Sequence, residues 1–436
     1  MDNYKLRRIT QSGKAKLLGF ACALIYAVSY IGRLNYSAAL PYLLQTGLLT
    51  KPQGGIISTA YFFAYGAGQL INGIAADRTK PQAQILLGSC GAAVMNFIMP
   101  LAGSFPFMLL FWTLNGFFQS MIWAPTLLLL ATSVPEKQRS TQLWLLNTSP
   151  AFGAVASYAF SGSLLVYFPW QGLFRGASVI MAAGAAVFYF CSRGALQGAS
   201  YQESPAQERA VSEPTASSSR FLPLLLSSGG MLLLFPVMIH GMLKDGTTNW
   251  IPTYMSEVFS LSTGLAVVLA VVPQIANLLA ASVAYWLEKH VKNEIKEAMI
   301  LFCVAGGSLL CMFLFGKLSV LVTIVLFALV TMSMQAVNVV FVSQMPTHFA
   351  RYGRMASVSG FFNSIAYIGC ALSTYLIALI SEYHGWNVTL IIWLVSSGIS
   401  LMFCLMAIPA WKHFLRVGSD HDKYRQKEMS NKGMQL

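Results

Sequence analysis

Two basic side chains stand where an apolar sequence has least reason to carry them. Arg33 lies inside the stretch YIGRLNYSAALPYL, Tyr30 to Leu43, and its nearest basic neighbours are Lys16 and Lys51. At about 1.5 Å per helical residue, about 25 Å of helix separates it from either charge, so a permanent cation sits near the middle of a bilayer-length segment. Such a charge costs about 2.5–3.5 kcal/mol on insertion scales and ordinarily faces a partner or a water-filled cavity. No acid in the first six apolar segments can neutralise it, because Asp77 and Glu136 fall in loops. A planar guanidinium suits a two-pronged grip on a phosphate or carboxylate, which makes anion binding the chemistry to expect. Lys244, in LKDGTTNWIPTYMSEV (Leu243 to Val258), is the second such cation. Asp245 follows it about 100° round an α-helix, and is expected to leave the lysine unquenched.

Around these cations, Tyr30, Tyr36, Tyr61, Tyr65, Asn115, Gln119, Trp123, Asn147 and Asn363 are polar or aromatic groups inside apolar segments, suited to lining a cavity. Each is equally suited to bonding one helix to another. His240, four positions before Lys244 and on the same helical face, and Asp245 are the candidates for carrying a coupling proton. Other chemistries find no support. The six histidines are scattered, and the seven cysteines (22, 90, 191, 303, 311, 370 and 404) lack paired metal-ligand spacing. Glycine-rich phosphate loops and nucleophile-base motifs are missing as well. The sequence therefore points to no enzyme, no metal and no cofactor.

Helices crossing a membrane must position these groups. Of 436 residues, 56% are hydrophobic and only 10% are charged, too few charges for a soluble domain. Twelve apolar stretches are long enough to cross a bilayer: about 17–44, 54–76, 83–102, 105–134, 140–167, 172–192, 221–256, 261–287, 297–315, 319–346, 355–381 and 386–411. Helices rather than a closed barrel are expected, since short alternating segments do not occur. Twelve spans put both termini on one side. That side collects 23 of the 28 basic residues, which marks it as cytoplasmic and gives residues 1–16 and 412–436 as cytoplasmic tails, with no cleaved signal peptide. The net charge of +13 follows from topology and anionic lipid, and is no evidence for nucleic acid.

A linker, RGALQGASYQESPAQERAVSEPTASSSR (193–220), has the polar composition of a flexible connector and separates a six-span unit at 17–192 from another at 221–411. The halves repeat. A shift of 211 places Arg33 on Lys244, Pro41 on Pro252, Asp77 on Glu288 and Arg78 on Lys289. A shift of 216 places Asn147 on Asn363, Gly153 on Gly369 and Trp170 on Trp386. Seven matches in two registers describe a duplicated unit.

Two parallel six-helix repeats joined by a cytoplasmic loop resemble the major facilitator fold, an all-α membrane architecture with its substrate site at the midplane between the halves. NGIAADRTK (Asn72 to Lys80) resembles the G-x-x-x-D-R-x-x motif of those transporters, with Gly73, Asp77 and Arg78 in place and Glu288 and Lys289 as their partners in the second half. The resemblance implies a cytoplasmic gate there. YIGRLNYSAALPYL, LNGFFQSMIWAP (Leu114 to Pro125) and LKDGTTNWIPTYMSEV resemble helices of the organophosphate:phosphate antiporters, the family of the glycerol-3-phosphate and hexose-6-phosphate transporters. That family holds its substrate phosphate between two arginines, one from each half; Arg33 falls on the first, and Lys244 occupies the second position. The chain also departs from the pattern. Leu34 stands where the glycerol-3-phosphate branch has lysine, Pro150 where it has histidine, and Asp245 where an aromatic follows the second arginine. Each departure lowers the positive charge and favours a singly charged anion over a doubly charged ester.

The resemblance implies a secondary transporter of an organic or phosphorylated anion, working by alternating access and exchanging it for phosphate or a related anion. The setting is the inner (plasma) membrane, the expected state is monomeric, and the partners are lipid and the small anion. One alternative is a proton-coupled symporter of a sugar acid or other carboxylate, using His240 or Asp245. Another is a membrane anion sensor, which is expected to carry an extended cytoplasmic region where this chain has 25 residues after Trp411.

Overall fold

The computed structural model describes residues 7–76, 79–197, 200–201, 221–316, 319–352 and 355–433. Six long helices form the first half: α1 (Ser12–Gln45), α2 (Lys51–Ala76), α3 (Pro81–Ile98), α4 (Phe105–Ser133), α5 (Glu136–Tyr167) and α6 (Gln171–Leu196). In the second half, α7 (Phe221–Ser227), α8 (Leu234–Gly241) and α9 (Thr247–Phe259) share the seventh crossing, and α10 (Thr263–Leu269), α11 (Val271–Asn277) and α12 (Ala280–Val291) share the eighth. α13 (Glu294–Phe315), α14 (Val320–Asn338), α15 (Met355–Tyr383) and α16 (Gly385–Gly433) complete it. Among the described residues, ten helical stretches are long and apolar enough to cross a membrane. The two remaining crossings are α2, diluted by Gly, Gln and Tyr, and the seventh, which is interrupted. α16 runs past Trp411 to Gly433, so residues expected as a tail continue the last helix. Most of the expected linker, and both Asp77 and Arg78, lie outside the described residues.

The packing repeats as the sequence does. In the first half α1 packs on α5 and α6, α2 on α4, and α3 on α6; in the second, α8 packs on α15, α11 on α14, and α13 on α16. Across the halves, α2 meets α15 while α5 meets α10 and α11, two contacts that the internal repeat exchanges. The matched glycines explain themselves: a Cβ on Gly153 would strike the Ala27 carbonyl of α1, and one on Gly369 would strike the Met238 carbonyl of α8. Each allows the crossing that carries a central cation to lie against its neighbour.

The matched prolines lie on the far side of those cations. Proline has no N–H for the carbonyl four residues before it. Pro252 therefore leaves the Thr248 carbonyl unpaired within its helix, and the Tyr158 hydroxyl, from the other half, donates to it at 3.1 Å. At the opposite end, Arg7 and Arg8 pair antiparallel with Tyr201 and Ser200, and the Lys14 ammonium donates to the Gln197 carbonyl at 2.7 Å, tying the start of the chain to the end of α6.

Candidate substrate site

Arg33 is held in place through the residue before it. The Gly32 carbonyl accepts hydrogen bonds from Asn96 Nδ2 at 3.2 Å, Asn115 Nδ2 at 3.0 Å and Gln119 Nε2 at 3.0 Å. Asn35 donates to Asn96 Oδ1 at 2.7 Å, and the Tyr61 hydroxyl donates to Gln119 Oε1 at 3.1 Å. Helices α1 to α4 are thus joined by amide side chains around one carbonyl. A side chain at residue 32 would collide with the Met181 sulfur, which is why a glycine sits there.

The Arg33 side chain is 7% exposed and has no hydrogen-bond or ion-pair partner among the described residues. Its surroundings are aromatic: the guanidinium carbon lies 5.2 Å from the Tyr30 ring centre, 5.8 Å from Tyr61, 5.2 Å from Phe62 and 5.0 Å from Tyr65. Ring faces attract a cation electrostatically without neutralising its charge. Tyr65 in turn packs on Tyr367 of α15, with ring centres 5.2 Å apart, so the aromatic wall continues into the second half.

Lys244 and Asp245 lie in a π-helical turn, Met242–Gly246, between α8 and α9. Lys244 Nζ is 3.1 Å from Asp245 Oδ2, with the two side chains 15% and 25% exposed. The expectation that Asp245 would leave the lysine alone assumed an α-helical turn. The wider π turn narrows the angle between successive residues, and the flexible lysine stem covers the remaining distance. Asp245 is also within electrostatic reach of Arg33, Tyr30 and Tyr61. His240, on α8, is fully buried, with Nε2 3.2 Å from Asn338 Nδ2 and the ring edge-on to Phe341.

Of the residues singled out in the sequence, the structure brings together Arg33, Tyr30, Tyr61 and Tyr65. Asn115 and Gln119 lie one layer behind, at the Gly32 carbonyl. Tyr36 donates to the Gly54 carbonyl at 3.1 Å and stacks near Trp112, while Trp123 packs on Tyr26; both join helices. Asn147 is exposed and bonds its own helix at the Leu143 carbonyl, 2.8 Å away, and Asn363 donates to Gln69 at 3.3 Å. In the loop motif, Gly73 lies in α2, Glu288 accepts from Gln344 at 2.9 Å, and Lys289 is exposed. Phe62, Asn96 and Tyr367 join the cluster around Arg33 and escaped sequence reasoning. Asn96, a lone amide in an apolar run, was the one that carried a readable signal.

Among the described residues, the halves are bonded mainly at the end remote from the termini. Ser37 donates to the Asn249 carbonyl at 2.6 Å, Asn249 to Ser58 at 3.0 Å, Gln45 to Ser256 at 3.1 Å, and Thr59 to the Ala371 carbonyl at 2.7 Å. Lys51 Nζ meets Glu257 Oε2 at 2.6 Å, lies 4.8 Å from the Trp386 ring centre, and shares that carboxylate with the Trp386 indole at 2.8 Å. Toward the termini, the Asn363–Gln69 bond is the one cross-half hydrogen bond among the described residues.

Two six-helix halves around a central cation define a membrane carrier. Residues 22–374 match the Major Facilitator Superfamily, and the chain belongs to that family of transporters, not to a family of enzymes. It is 21% identical over 412 residues to a probable hexose phosphate transport protein of Chlamydia trachomatis serovar D, covering 88% of each chain. It is 22% identical to the membrane sensor protein UhpC of Escherichia coli K12, covering 88% of this chain and 90% of that one. The fold is shared with a bacterial homologue of the human lysosomal transporter Spinster in an inward-facing, occupied conformation, with TM-score 0.74 at 14% identity over 93% of this chain and 99% of that one.

Proposed function

We propose that this chain is a secondary transporter of an organic or phosphorylated anion, working by alternating access and exchanging its substrate for phosphate or a related anion. The observation that carries the reading is Arg33, a buried guanidinium with aromatic faces around it and no carboxylate bonded to it among the described residues. A charge so placed calls for a mobile counter-ion, and the substrate supplies one. Lys244, Tyr30, Tyr61 and Tyr65 complete the binding surface in this reading. The name of the Chlamydia relative supports a phosphorylated substrate. With both termini cytoplasmic, as the basic residues suggest, the cross-half bonds close the outer face. The burial of His240 favours exchange over a cycle that uses it as proton carrier.

The test is calorimetric titration of purified protein with hexose 6-phosphate, glycerol 3-phosphate and sugar acids. One of these classes binds the wild type, and Arg33→Gln weakens that binding at least about a hundredfold while the protein still purifies as a folded species. Wild-type affinity in Arg33→Gln would overturn the site.

The resemblance to UhpC favours a second reading, a membrane sensor of the same anion. The length of the chain fits this reading, because a protein named as a sensor matches it over 90% of its own length. Substrate flux through proteoliposomes separates the two: binding without flux supports the sensor, and robust flux excludes it.

A further inference from the structure

The second half brings to the centre of the bundle a cation that already has its counter-ion. Lys244 and Asp245 sit 3.1 Å apart in the π turn, and Asp245, 25% exposed, retains an oxygen with no donor among the described residues. We propose that Asp245 is a specificity-determining residue that makes the site prefer singly charged anions, the monoprotonated form of a phosphate ester among them, over dianions. This inference rests on reading Arg33 as the anion anchor. Arg33, Lys244 and Asp245 together carry a single net positive charge. A monoanion on the Arg33 fork balances that charge and leaves the Lys244–Asp245 pair intact. A dianion would set a second negative charge within reach of the Asp245 carboxylate, in surroundings whose low polarity strengthens the repulsion.

The hydroxyls nearby, Tyr30 and Tyr367 among them, are neutral and bring no counter-charge for the second negative charge. The Tyr61 hydroxyl is committed to Gln119, and the rings of Tyr30, Phe62 and Tyr65 face the guanidinium. The Tyr65 hydroxyl is buried with no partner among the described residues, and it offers a single neutral hydrogen bond, enough to orient a monoanion.

The experiment compares two probes of matched shape and unequal charge: glycerol 3-phosphate and its methyl diester, titrated calorimetrically into the full-length protein at pH 8. There the monoester is nearly all dianion, its second pKa being about 6, while the diester carries one charge. The diester binds the wild type about tenfold tighter or more, Asp245→Asn shifts the affinity ratio about tenfold toward the monoester, and Asp245→Glu restores the wild-type ratio. A wild type that binds the monoester more tightly, or binds no diester, overturns the proposal, as does an unchanged ratio in a folded Asp245→Asn protein. Arg33→Gln keeps the two readings apart. If it binds both probes as the wild type does, the anchor itself is wrong; if it binds neither while the wild type prefers the monoester, the Asp245 inference alone falls.

Discussion

Arg33 is tolerated in a membrane-spanning helix because four ring faces surround it and three amides fix the backbone beside it. Cation–π contacts contribute about 0.5–2 kcal/mol each, comparable in sum with the about 2.5–3.5 kcal/mol that a central charge costs on insertion scales. Neither supplies a counter-charge, so the fork remains free for a ligand. Arg33→Lys keeps the charge and loses the two-pronged geometry, and calorimetry on this variant should show substrate affinity reduced about 10- to 100-fold. Undiminished affinity would show that charge alone suffices. Arg33 and Lys244 were legible in the sequence because a charge in an apolar run is costly and calls for a partner, Arg33 the more clearly since it is farther from either interface. Phe62 was not, since an apolar residue in an apolar helix carries no mark of the face it presents. The Lys244–Asp245 contact was also hidden: it depends on a π turn in MLKDG, and spacing arguments assume α-helical turns throughout.

Among the elements, the internal repeat was the most legible feature, and packing gives its matches a cause. Gly153 places α5 against α1, which carries Arg33, and Gly369 places α15 against α8, which leads into the π turn of Lys244. The break at Gly229 in the seventh crossing had a readable signal in Ser227–Gly230, overlooked because the runs on either side are strongly apolar; the left-handed backbone there, with φ of 74°, needs a glycine. Two cross-half contacts should govern how readily the remote end opens. Tyr158→Phe strands the carbonyl that Pro252 leaves free, at a cost of about 1–3 kcal/mol to the closed state. Lys51→Ala removes a partly exposed ion pair worth about 1 kcal/mol. Electron-spin distance measurements between labels in the loops following α1 and α9, with the native cysteines replaced, should show a larger separated population in both variants and a larger shift for Tyr158→Phe. Unchanged distance distributions in both would mean that neither contact gates the carrier.

For the whole molecule, orientation and coupling are the open quantities, and each has a physical signature. The basic residues concentrate in the termini and even-numbered loops, so an alkaline phosphatase fused after Leu436 should be inactive in intact cells; periplasmic activity would invert the topology and the sense of the closed face. Coupling follows from the charges at the centre. In the exchange reading, an empty site holds Arg33 with no carboxylate bonded to it among the described residues, and moving the halves past each other would carry that charge through a narrowed, drier passage. A bound anion removes most of this cost, so the loaded carrier should reorient much faster than the empty one. Proteoliposomes preloaded with substrate or phosphate should therefore take up labelled substrate at least about tenfold faster than empty vesicles, and a protonophore should change that rate little. If His240 or Asp245 carried a proton instead, an inward acid gradient would drive accumulation into empty vesicles, and His240→Gln or Asp245→Asn would abolish it. His240 is fully buried against Asn338 and Phe341, away from water, whereas Asp245 is bonded to Lys244 and a quarter exposed, so Asp245→Asn is the decisive variant of the two. Accumulation in empty vesicles that collapses with protonophore would rule out obligatory exchange and put the proton-coupled cycle in its place.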